Sequence, residues 1–138
     1  MDREVVEQKL ESLRRCVRRL EERCPSDIEG LTNDLDAQDI VVLNLTRAVQ
    51  VSVDLASHVL VNLGEAAPDT MGETFRALAR AGVIPADLAE RLRAAVGFRN
   101  LAVHTYRAID WQIVHRIVRE RLGDFEAFAL AIVARLGQ

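Results

Sequence analysis

The sequence predicts an all-α fold: a single domain over residues 1–138, built as an antiparallel bundle of four long helices plus a short one. Three observations carry that expectation. Apolar residues recur at three- and four-residue steps along most of the chain, and no segment alternates with period two. Glycine and proline number only 7 and 3, too few for the many tight turns of an all-β protein. With 138 residues, 49% hydrophobic and 28% charged, the chain has the length and composition of one domain with its own core.

The elements follow in order. Residues 3–23 place Val5, Val6, Leu10, Leu13, Val17 and Leu20 on one face, with charges between them. Cys24-Pro25-Ser26 ends that helix, because proline disfavours helix in the residue before it. A polar stretch follows, where Thr32, Asn33 or Asp34 can cap the next helix. Residues 34–63 lack Pro and Gly and read as one long helix, with Leu35, Val42, Leu45, Val49, Val53, Ala56, Leu60 and Leu63 as its apolar side. Gly64 marks its stop, and EAAPDT is a loop. A short helix over about 71–81 turns Phe75, Leu78 and Ala79 inward and ends at Gly82. Pro85 opens the next helix, which carries Leu88, Leu92, Ala95 and Val96 into GFRNLAVHTY. Asp110 caps a last long stretch over 111–136, which Gly123-Asp124 either kinks or splits. Short linkers make sequential helices antiparallel neighbours.

Charge and cysteine usage narrow the function classes. The formal net charge is −3, which excludes a generally basic nucleic-acid coat but not a local basic cleft. Lys9 is the only lysine, so 17 of the 18 basic residues are arginines. Arginine suits bidentate phosphate binding, although a GC-rich genome gives the same bias. Aromatics at 4% argue against a stacking platform for single strands. Cys16 and Cys24 make no disulfide framework and no C-x-x-C. The charged start MDREVVEQKLESLRR is not a secretory signal, and no apolar run approaches the ~18 residues of a membrane span. A cytoplasmic protein with no membrane partner is expected.

Three histidines have to be weighed. His115 reads as a packing or surface residue. His58 lies one turn after Asp54, a spacing at which the two can share a proton or form half a metal site, but a second half is missing. Arg47, Gln50, Asp54, Ser57 and His58 form a polar stripe on the long helix. Arg47 and Gln50 read as its solvated face, whereas Asp54 and His58, toward the apolar middle, are better placed to face a cleft or a partner. His104 stands in the octet Arg99-Asn100-Leu101-Ala102-Val103-His104-Thr105-Tyr106. On a helix Asn100 and His104 are neighbours, and Arg99 and Tyr106 share a face if the helix persists that far. Arg99 and His104 lie about 140° apart round the axis and do not meet on an ideal helix. A site that needs both must use a distorted helix end or two copies of the chain.

These residue types suit phosphodiester chemistry on RNA. One histidine can take the 2′-OH proton and a second can protonate the leaving 5′-oxygen. An arginine can stabilise the charge growing on the phosphoryl oxygens, and Asn100 can orient the imidazole or a phosphate oxygen. The 2′-OH is an internal nucleophile held beside the phosphorus, so no metal and no cofactor is called for.

The octet is similar to the R-x-x-x-x-H-x-Y motif of the HEPN-superfamily HepT-like ribonuclease toxins. VDLASHVL (53–60), ETFRALARAGVI (73–84) and GFRNLAVHTYRAIDW (97–111) resemble that family in the same order and at similar spacing, so the likeness spans essentially the whole chain. The resemblance implies a HEPN-like helical bundle that forms a two-fold homodimer with the motifs facing across the interface. It also implies a metal-independent endoribonuclease that inhibits growth. Arg99 and His104 would be the catalytic pair, with Asn100 beside them and Asp54 supporting the site from an earlier helix. Tyr106 would be the acceptor of AMP from an MntA-like minimal nucleotidyltransferase antitoxin. Each added AMP would bring phosphate charge and bulk against an RNA backbone. The alternatives are a non-catalytic HEPN module, which binds nucleotides or assists a nucleotidyltransferase, and a plain helical dimerisation protein. The intact Arg99 and His104 favour the enzyme.

Overall fold

The computed structural model describes residues 1–137 and is helical throughout, with no strand among the described residues. Helix α1 (Arg3–Arg23) starts where the Asp2 carboxylate accepts from the Val5 N–H and stops before Pro25. The polar stretch after it is not a plain loop. Asp27 accepts from the Gly30 N–H at 2.9 Å and nucleates a five-residue helix, α2 (Ile28–Thr32), which buries Leu31. Of the three cap candidates, Asp34 is the cap of α3 (Leu35–Asn62), accepting from the Ala37 N–H. Buried Gln38 fixes the α2–α3 junction by donating to the carbonyls of Leu31 and Thr32.

Both expected glycine stops have left-handed backbone, φ 81° at Gly64 and 78° at Gly82. After α3 the Glu65 N–H reaches the Leu60 carbonyl; after α4 (Met71–Arg80) the Val83 N–H reaches that of Leu78. These are the bonds that use up orphan carbonyls at a helix end. Helix α5 (Ala86–His104) follows Pro85, and Thr105 ends it. A single 3-10 turn (Tyr106–Ala108) leads to Asp110, which caps α6 (Trp111–Glu120). The last stretch is split, not kinked: α6 ends at Glu120, capped by Arg121, and α7 (Gly123–Leu136) begins after Leu122. The break places the Asp124 carboxylate 2.9 Å from Arg91 Nε on α5.

Helix α3 is the centre of the bundle and touches α1, α2, α4, α5 and α7. An 18-residue window of it reaches a mean hydropathy of 1.3, so by length and composition α3 could cross a bilayer, contrary to the expectation that no run approaches that. Half of that window is buried against the other helices. Its core face is Val41, Leu45, Ala48, Val49, Ser52, Val53, Leu55, Ala56, Val59 and Leu60. The terminal residues Leu35 and Leu63, expected inward, are exposed because the bundle does not extend past them. Val5 is likewise at the rim. Phe75 of α4 and Phe128 of α7 meet edge-to-face at 5.7 Å and close the far side of the core.

Candidate functional site

The expected site residues come from α3, from the last two turns of α5 and from the 3-10 turn beyond it. Arg99 is half-buried against α3, where its Nη2 donates to Gln50 Oε1 at 3.5 Å. Its Nη1 donates to Asn100 Oδ1 at 3.1 Å. The Arg99 Nε is buried and makes no hydrogen bond. Gln50 in turn donates through Nε2 to Asp54 Oδ1 at 3.0 Å, and Lys9 Nζ from α1 lies 3.4 Å from Asp54 Oδ2. Asp54 thus supports the arginine through an intermediary.

Two sequence readings are corrected here. Gln50 does not sit on the solvated face; it is half-buried between Asp54 and Arg99, while Arg47 is exposed as expected. The i,i+4 spacing of Gln50 and Asp54 was the visible signal. Lys9, 45 residues from Asp54, had none. Asp54 and His58 do not form the hydrogen-bonded pair their spacing allows, since Asp54 takes Lys9 and Gln50 while the buried His58 Nε2 has no partner. His115 is a packing residue, its Nε2 2.9 Å from the Pro25 carbonyl. Among the described residues no three His, Cys, Asp or Glu side chains gather as a metal site.

His104 is the last residue of α5. Its side chain is exposed and makes no hydrogen bond to another described residue. The helix is regular up to that point, so the 140° offset from Arg99 stands and one copy does not bring the two together. Thr105, at φ −143° and ψ 57°, turns the backbone out of the helix, so the shared face of Arg99 and Tyr106 is not formed. Tyr106 packs its ring against Trp111 at 6.2 Å and lines a shallow hollow of about 300 Å³ with Asp39, Val42, Leu43, Thr46, Ala102 and Val103. Burial, and then the neighbouring Asp39 carboxylate, push its phenol above the usual tyrosine range. Leu43, Val103 and Tyr106 are 48%, 51% and 45% exposed, an apolar rim beside His104.

The Ribonuclease HepT-like family model matches residues 13–132 of this chain. The chain belongs to the HepT-like ribonuclease family. It is 31% identical to the mRNA nuclease HepT of Shewanella oneidensis strain MR-1, across 95% of this chain and 98% of that one. Among solved structures it resembles the tri-AMPylated Shewanella oneidensis HEPN toxin in complex with its MNT antitoxin, with a TM-score of 0.89, 31% identity, and coverage of 97% and 99% of the two chains. A toxin–antitoxin complex with AMP-PNP matches with a TM-score of 0.88 and 30% identity over 96% of this chain and 99% of that one. The HepT-like fold is therefore the all-helical bundle expected from periodicity, including its central α3.

Proposed function

We propose that this HepT-like chain is the toxin half of a toxin–antitoxin pair, a metal-independent endoribonuclease that works as a homodimer and is silenced by a nucleotidyltransferase. The observation that supports the reading best is the contrast between Arg99 and His104. The Arg99 guanidinium is held by Gln50 and Asn100, so its charge is in place before substrate arrives. A cation fixed in this way stabilises developing phosphoryl charge with little reorganisation. His104 has no hydrogen-bond partner among the described residues and stands exposed at a helix end. A two-fold axis through the α3–α5 face would cover Leu43 and Val103 and bring two His104 side chains toward one cleft.

In that cleft the chemistry needs only what the two chains supply. One His104 accepts the 2′-OH proton as O2′ attacks phosphorus. The bond to O5′ breaks, and the second His104 donates its proton to O5′. The products are a 2′,3′-cyclic phosphate and a 5′-OH end. Arg99 balances the charge on the non-bridging oxygens.

Silencing acts at Tyr106. Its side chain is 45% exposed, which leaves it within reach of a partner enzyme. Each AMP placed there puts negative charge two residues from His104, where it repels an RNA backbone.

Cleavage of a defined RNA by wild type and by His104→Ala, each with EDTA present, tests the reading. Wild type is expected to cut and to leave a 2′,3′-cyclic phosphate; His104→Ala is expected to be inactive with an unchanged melting temperature. Cleavage by His104→Ala, or an absolute requirement for a divalent cation, contradicts it.

A further inference from the structure

We infer that Gln50 is a positioning residue for Arg99, locked in one orientation by Asp54 and, behind Asp54, by Lys9; this rests on the ribonuclease reading above. The four side chains come from three helices and form one directed chain of donors. Lys9 donates to Asp54 Oδ2, Gln50 donates to Asp54 Oδ1, and Arg99 donates to Gln50 Oε1.

The order follows from what each group can do. A carboxylate only accepts, and a guanidinium only donates. An amide placed between them has one workable orientation, with NH₂ toward Asp54 and oxygen toward Arg99. The reverse orientation sets acceptor against acceptor and donor against donor. Asp54 therefore decides which end of Gln50 the arginine meets. The Gln50–Arg99 contact, at 3.5 Å, is long, so Gln50 steers the guanidinium more than it clamps it. Lys9 and Asp54 side chains are 37% and 40% exposed, so their ion pair adds little stability. Its consequence is geometric: it holds the carboxylate that holds the amide. Arg99 sits within the motif helix, and an error of about 1 Å in placing such a group can cost two orders of magnitude in rate.

The test reverses the polarity of the chain. Single-turnover RNA cleavage is measured for wild type, Gln50→Met, Asp54→Asn, Gln50→Glu and the double variant Asp54→Asn/Gln50→Glu. Circular dichroism and melting temperature establish that each is folded. Gln50→Met removes the amide at similar volume and is expected to slow cleavage by roughly tenfold or more. Asp54→Asn frees the amide to turn over and should slow it comparably. Gln50→Glu alone sets two carboxylates at i,i+4 and should also lose rate. In the double variant residue 54 donates and residue 50 accepts from Arg99, so cleavage should return to within about threefold of wild type, a strong coupling in the double-mutant cycle. A merely structural role gives no such rescue.

A double variant no faster than the slower single variant overturns the inference, as does wild-type speed in Gln50→Met. Failure of the wild type itself to cleave RNA would instead bring down the ribonuclease reading, and this inference with it.

Discussion

Thr105 leaves helical geometry immediately after His104, and that one residue sets the different surroundings of His104 and Tyr106. His104 ends a regular helix and bonds to no other described residue, while Tyr106 is turned into a 3-10 step against Trp111. In the proposed mechanism the two side chains separate in role: His104 transfers protons and Tyr106 accepts AMP. Tyr106→Phe keeps the ring contact and removes only the nucleophilic oxygen. That variant is expected to remain an active nuclease and to gain no mass when coexpressed with an active cognate nucleotidyltransferase, whereas wild type gains one or more AMP units. Equal silencing of both, with no adduct on either by mass spectrometry, would mean that the partner acts by occlusion. Arg99→Ala is expected to reduce cleavage by roughly 10²-fold or more, the scale on which one preorganised charge-stabilising donor acts.

The helix ends show which parts of the fold were legible. Gly64 and Gly82 were readable as stops because each lies just past an apolar-periodic run, and both take left-handed backbone. A methyl at Gly82 meets nothing within 4 Å, so Gly82→Ala isolates the backbone term; it is expected to destabilise by about 1–2 kcal/mol. Gly97, inside α5 and also with open space at Cβ, should respond with the opposite sign, Gly97→Ala gaining up to about 1 kcal/mol. Chemical denaturation of the two variants checks both signs. Helix α2 was not legible, because five residues carry too little periodicity and its support is tertiary, through buried Leu31 and the Gln38 amide. The split of the last helix was visible as an ambiguity at Gly123-Asp124, and the long-range Arg91–Asp124 contact accompanies the break. The candidate site was legible where its residues are close in sequence, as in the octet that holds Arg99, Asn100 and His104. It was hidden where residues meet across helices: Gln50 meets Arg99 across the α3–α5 contact, and Lys9 reaches Asp54 only through the α1–α3 packing.

At the scale of the molecule, one chain has its arginine held against α3 and its histidine exposed, a division that on the proposed mechanism calls for a second copy. The proposed second copy would cover the exposed Leu43 and Val103 of the α3–α5 face. Light scattering is expected to give about twice 15.4 kDa at micromolar concentration. A strict monomer there would weigh against the shared site. The sharper measurement mixes wild-type chains with His104→Ala chains in about a ninefold excess, under conditions where subunits exchange fully. If one cleft uses both histidines, only dimers with two wild-type chains cut, and cleavage should fall to about one hundredth of an all-wild-type sample. If each chain carries a complete site, cleavage should fall only to about one tenth, in proportion to the wild-type fraction, and that result would contradict the shared two-histidine site.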